Sequence, residues 1–170
     1  LGILLDYKGV SAKSSAENTV ILTENTISQA QKGNVAFVGG GNYASSVLIP
    51  SFLNSNANLI TLVTSGGMNA VHQGKKNGFL FASTDIKDAF DDDIDTVVIA
   101  TRHNNHSSQT IQALEKGKHV FVEKPMAINR DETKSISEFY DSDSESKPIL
   151  ISDILRTYLL IVISNFSVMN

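Results

Sequence analysis

The chain has 170 residues, a length that suits one compact core with short appendages and not two complete domains. Lys and Arg number 14 against 18 Asp and Glu, a net charge of −4 that argues against a nucleic-acid groove or a polybasic membrane patch. With no Cys, disulfide scaffolds, thiolate metal sites, iron–sulfur clusters and thiol nucleophiles are all removed, so any chemistry must use His, Lys, acids, hydroxyls or a bound cofactor.

A hydrophobic share of 41% is enough for a packed core, and the longest apolar stretch, residues 158–163, falls far below the roughly 18 residues of a membrane span. The opening Leu1-Gly2-Ile3-Leu4-Leu5-Asp6 has neither an initiator Met nor a basic region ahead of an apolar one, so it reads as the middle of something longer and not as a signal peptide. A soluble, cytoplasmic protein is the expectation.

In chain order, apolar runs at 2–5 and 19–22 predict two short strands separated by a loop. A regular alternation follows: strand 34–38, helix 43–54, strand 59–63, helix 68–77, a short strand around 79–82, a short helix 86–90, strand 96–100, helix 104–116, strand 119–122 and helix 131–140. Strands interleaved with helices imply a parallel sheet, and runs such as Thr96-Val97-Val98-Ile99-Ala100, apolar on both faces, imply helices on each side of it. Gly78 and Gly117 stand where helices must end in a left-handed residue. Residues 141–147 are acidic and Ser-rich, a solvated connector, and 148–151 offer one last strand. The fold class is therefore α/β, a doubly wound parallel sheet of Rossmann type with short extensions at both ends. Its domain reading is a leader over 1–31, a Rossmann-type domain over 32–151 and a tail over 152–170.

The strongest local signal is Val35-Ala36-Phe37-Val38 running into Gly39-Gly40-Gly41-Asn42-Tyr43-Ala44, a strand followed by Gly-x-Gly-x-x-Ala and a helix. Gly39 permits the tight turn, Gly41 lacks the Cβ that would keep the backbone from a pyrophosphate, and Ala44 lets the helix lie close to the sheet. The helix amino terminus then offers free N–H groups to the anion. A dinucleotide site also places an acid at the end of the second strand for the adenosine ribose, but here that position reads Val63-Thr64-Ser65-Gly66. Hydroxyls at Thr64 and Ser65 would tolerate a 2′-phosphate, which leaves NAD and NADP both open. Lys75 and Lys76 would add positive charge only if their helix folded back, and the simpler reading is solvation.

Beyond the fourth parallel strand, Thr101-Arg102-His103-Asn104-Asn105-His106 falls where open α/β sheets bind ligands. His103 and His106 read either as ligand contacts or as capping and surface imidazoles; no metal site is expected. The run Asp91-Asp92-Asp93-Ile94-Asp95 lacks calcium-ligand spacing and reads as a turn. Strand 119–122 ends in Glu123-Lys124-Pro125, either an ion pair at a strand end or, for Lys124, a group that orients a substrate hydroxyl or moves its proton.

Taken together, 35–44, Ile94 to Thr101, His106 and Gly117-Lys118-His119-Val120-Phe121-Val122-Glu123-Lys124-Pro125 resemble the amino-terminal domain of the Gfo/Idh/MocA oxidoreductase family over about residues 34–148. The resemblance implies that Gly39, Gly41, Asn42 and Tyr43 line the pyrophosphate, that Thr101 and His106 lie along the nicotinamide half, that Glu123 contacts its ribose and that Lys124 faces the substrate. Thr101-Arg102, where members often read Thr-Pro, resembles a branch fused behind a zinc-type alcohol dehydrogenase-like domain, and residues 1–7 look like the end of that domain. After Leu150 the family pattern is lost, which suggests a frameshift or truncation. The expected function is NAD or NADP binding within an oxidoreductase acting on sugar-like or polyol CH–OH groups, with little turnover by the isolated chain and a tendency to self-associate through the apolar tail. The alternatives are a non-enzymatic nucleotide-binding or interaction remnant, and a methyltransferase, which shares the glycine turn but has no use for Glu123-Lys124-Pro125.

Overall fold

The computed structural model describes residues 18–23, 33–141 and 147–152. Its strands are β1 (Thr19–Ile21), β2 (Asn34–Val38), β3 (Asn58–Val63), β4 (Phe81–Ser83), β5 (Thr96–Ile99), β6 (His119–Val122) and β7 (Leu150–Ser152). The helices between them are α1 (Ile49–Asn54), α2 (Gly67–Asn77), α3 (His103–Glu115) and α4 (Arg130–Asp141). The strands join one sheet in the order β1-β4-β3-β2-β5-β6-β7. Every pair from β4 across to β7 is parallel, and only β1 runs antiparallel, on the outer edge of β4. This is a Rossmann-type doubly wound sheet.

Side-chain alternation along β2 divides the core into two layers. Val35 and Phe37 point into a cluster with Leu48, Ile49 and Phe52, whereas Ala36 and Val38 join Ala113 and Leu114 of α3 on the opposite face. Phe37 is fully buried and meets Phe52 and Phe79 edge-on at 5.4 and 5.7 Å between ring centroids. Each such pair adds about 0.5–1.5 kcal/mol beyond the area it buries. Both faces of the central strands are thus covered, which is why every residue of β5 is buried.

Most elements form within a residue or two of the expected bounds, and the differences have local causes. The helix expected over 43–54 is wound in two forms: Ala44–Leu48 is π-helical before α1 begins. Pro50 has no N–H for the Ser46 carbonyl and its ring crowds that turn, and the Ile49 N–H reaches back to the Ala44 carbonyl instead. The strand expected around 79–82 is displaced to Phe81–Ser83, because Phe79 serves as a core plug and its N–H closes α2 on the Gly74 carbonyl at 3.0 Å. Gly78 and Gly117 hold the left-handed conformations expected of them, φ 77° and 72°.

At the ends, Thr19–Ile21 from the leader is part of the same sheet, since the Leu22 N–H and the β1 ladder satisfy the exposed edge of β4. Ser152, assigned to the tail, is the last residue of β7 and lies in register with Val122. The strand expected at 2–5, the middle of the Ser-rich connector at 142–146 and the tail from 153 onward lie outside the described residues. No helix among the described residues is long and apolar enough to cross a membrane.

Candidate functional site

β2 sits at the centre of the sheet with β3 on one side and β5 on the other, so the chain leaves its carboxyl end where the crossovers diverge to opposite faces. Gly39 makes this departure possible. Its φ is +107°, its N–H donates to the Val63 carbonyl at 2.8 Å, and a Cβ there would stand 2.3 Å from the Ala100 carbonyl oxygen. Two residues later the surroundings are opposite in kind: a Cβ on Gly41 would meet nothing within 4 Å. Ala44 is buried, as expected of the small residue that brings helix to sheet. The turn is tied down by the Ser45 N–H and hydroxyl, which both donate to the Gly41 carbonyl, and by the Ser46 hydroxyl, which donates to the Asn42 carbonyl at 2.6 Å.

Gly41 also lines a cleft of about 630 Å³ across the carboxyl ends of the central strands. Such a volume falls within the usual range of roughly 300–1,000 Å³ for small-molecule and cofactor sites. One end of its wall is made by Thr64, Ser65, Asn69, Thr84 and Ile86, beyond β3 and β4; the middle by Gly39, Gly40 and Gly41; the other end by Thr101, Arg102, Asn105 and Gln109, beyond β5. Among the described residues no carboxylate lines it, and Arg102 is the one charged residue of its wall. The missing acid was legible in the sequence. Arg102 belongs to the run after β5 that the sequence places at the ligand-binding edge, but nothing in that run singles it out from its neighbours.

The expected site residues do not all converge. Gly39, Gly41, Thr64, Ser65 and Thr101 line the cleft, whereas Asn42, Tyr43 and Ala44 stand beside it at the start of the helix. The Thr64 hydroxyl donates to the Gly66 carbonyl at 2.8 Å, and the Thr101 hydroxyl donates to Gln109 Oε1 at 2.7 Å. His106 does not face the cleft. It is fully buried, with Nε2 3.1 Å from the Thr101 carbonyl and Nδ1 2.9 Å from the Pro125 carbonyl, so it ties the loop after β5 to the loop after β6. His103 meets it ring to ring at 5.5 Å. Glu123 continues the ladder by donating its N–H to the Ile99 carbonyl, and its Oε2 accepts from the Lys124 N–H at 3.1 Å. Lys124 is exposed, at the same sheet edge but outside the cleft wall. Lys75 and Lys76 lie in the last turn of α2 and line no part of the cleft.

The acidic run before β5 is a structural turn. Asn34 donates its N–H to Asp95 Oδ2 and its side-chain amide to the Asp93 carbonyl, both at 2.7 Å, while Lys118 Nζ donates to the carbonyls of Asp91 and Ile94 at 2.7 and 2.8 Å. Partial burial, followed by the charges of Asp88 and Asp92, raises the Asp91 pKa above the ordinary carboxylate value; Lys118 opposes the rise.

Known proteins share this fold. A family model described as an oxidoreductase family with an NAD-binding Rossmann fold matches residues 33–145. The scyllo-inositol 2-dehydrogenase (NAD(+)) of Bacillus subtilis is 44% identical over 48 residues, which cover 28% of this chain and 14% of that protein. Among solved structures, levoglucosan dehydrogenase in complex with NADH and L-sorbose superposes with a TM-score of 0.62 at 24% identity, over 71% of this chain and 34% of that one. A 3-ketoreductase from Actinomadura kijaniata in complex with NADP gives 0.60 at 18% identity, over 64% and 35% of the two chains. The match therefore spans about a third or less of each of these proteins. With a family model covering the whole alternating region and a fold shared with these structures, the chain belongs to the Gfo/Idh/MocA family of NAD-binding Rossmann-fold oxidoreductases.

Proposed function

We propose that this chain binds NAD or NADP across the carboxyl edge of its sheet, as the cofactor half of an oxidoreductase acting on sugar-like or polyol CH–OH groups. One observation carries the reading: Gly41, where a Cβ would meet nothing within 4 Å, lines a cleft whose wall, among the described residues, holds no carboxylate. Gly39, Gly41, Asn42, Tyr43 and Ala44 form the turn that receives the pyrophosphate. Thr64 and Ser65 take the adenosine ribose, and Thr101 takes the nicotinamide side. Glu123 and Lys124, on the neighbouring strand end, meet the nicotinamide ribose and the substrate hydroxyl. His106 serves the site from behind, by holding the Thr101 and Pro125 carbonyls.

The bound cofactor supplies a nicotinamide carbon that accepts or donates hydride. Lys124 orients the alcohol or handles its proton, and a second surface must press the substrate into near-attack geometry, an effect that can account for many kcal/mol of a barrier. Because Lys124 is exposed here, the isolated chain is expected to bind cofactor with little turnover. The substrate class rests on relatives named as inositol and levoglucosan dehydrogenases, and the open choice of cofactor on neighbours holding NADH and NADP.

Calorimetric titration with NADH, NADPH and S-adenosylmethionine tests the proposal. Both nicotinamide cofactors should bind, NADPH at least as well as NADH, since no carboxylate at Thr64 or Ser65 repels a 2′-phosphate. A preference for NADH of more than about tenfold, ~1.4 kcal/mol, would show that another group reads the ribose. Binding of S-adenosylmethionine alone would replace the reading with the methyltransferase one.

A further inference from the structure

We propose that Arg102 is the anion anchor of the cleft, holding the cofactor's pyrophosphate opposite the glycine turn; this rests on the dinucleotide reading above. The turn offers an anion neutral N–H groups. Among the described residues that line the cleft, Arg102 is the single charge and no acid stands beside it in the wall. A guanidinium fits this task because its planar fork donates two parallel hydrogen bonds to phosphate oxygens, which a point-charge ammonium cannot reproduce.

The position of Arg102 is built. The Ala100 N–H donates to the Val38 carbonyl at 2.9 Å, and the Ala100 carbonyl lies so close to Gly39 that a Cβ there would sit 2.3 Å from it. The end of β5 is therefore in contact with the glycine turn. Thr101 is held at both of its polar ends: its hydroxyl donates to Gln109 Oε1, and its carbonyl faces the buried ring of His106. Arg102 follows at once, in extended backbone (φ −76°, ψ 144°), and its carbonyl accepts the Asn105 N–H at 2.9 Å to start α3. The backbone that carries the cation is thus fixed on both sides before any ligand arrives, and little further ordering of that backbone is needed when it binds.

The test compares the full chain with its Arg102→Gln and Arg102→Lys variants, titrated with NADH, with ADP-ribose, which keeps the pyrophosphate without the nicotinamide, and with adenosine, which has neither. Arg102→Gln should weaken NADH and ADP-ribose by about tenfold alike, the loss of one charge-assisted contact, and leave adenosine binding and the melting temperature unchanged. The salt sensitivity of NADH binding should fall in the same variant, and Arg102→Lys should lie between the two. A folded Arg102→Gln chain that binds NADH and ADP-ribose within about twofold of wild type would overturn the inference while leaving the dinucleotide reading intact. Equal weakening of adenosine would overturn it by showing a structural role. Failure of the wild-type chain to bind NADH or NADPH would overturn the dinucleotide reading, and this inference with it.

Discussion

Gly41→Val should separate binding from folding. A Cβ at position 41 meets no heavy atom within 4 Å, and the residue is not among those with positive φ, so a side chain enters free space without backbone strain. The folding cost should stay within about 1 kcal/mol, the ordinary scale for replacing a glycine whose conformation other residues can adopt. The same free space is where a pyrophosphate must approach the turn. Losing two charge-assisted contacts of about 1.5–3 kcal/mol each removes at least ~3 kcal/mol, or more than about 100-fold in affinity. The assay is NADH fluorescence titration beside circular dichroism and a thermal melt of the same preparation. A variant that melts like wild type and binds NADH within about tenfold of it would refute the assignment of this turn to the pyrophosphate.

Gly39→Ala should behave in the opposite way: with φ at +107° and backbone 2.3 Å from the new Cβ, it should cost at least ~2 kcal/mol of stability, read as a lowered denaturation midpoint, before any question of binding arises. Lys118→Met leaves the Asp91 and Ile94 carbonyls without their buried donor and should destabilise by about 1–3 kcal/mol, with NADH affinity unchanged in the folded protein. The Lys118→Met deficit should also depend on pH. Asp91 has a folded pKa above its unfolded value, so its contribution is lost as pH rises from the unfolded value through the folded one; removing the opposing lysine charge widens that window and makes the deficit larger at pH 7 than at pH 3. A deficit independent of pH would show that the lysine acts through its hydrogen bonds alone.

The glycine turn was fully legible because each of its small residues has a task set by its own backbone and its immediate neighbours. Gly39 turns with φ +107°, Gly41 stays bare and Ala44 packs, and a small residue at each place is visible in the sequence even though the Ala100 and Val63 carbonyls that confine Gly39 come from other strands. The gap at Thr64 and Ser65 was equally plain, since the end of an apolar run marks a strand's carboxyl edge. The direction in which His106 points was not legible, for the converse reason. A histidine three residues into a helix can face a ligand or the interior, and local spacing does not distinguish them; what turns it inward is the Pro125 carbonyl, contributed by a loop 19 residues away.

The sequence by itself determined the order and type of the elements, since the change from a period of 2 to one of 3.6 reports which faces are buried and Gly78 and Gly117 mark where helices stop. It also determined the chemistry available to the binding turn. Only the tertiary structure decided which strand ends stand side by side, that Thr19–Ile21 closes the outer edge of the sheet, and that Arg102 supplies the one charge among the cleft's lining residues. Those outcomes depend on strand order and on contacts between segments distant along the chain. Periodicity carries one face of one element at a time and is silent about its neighbours.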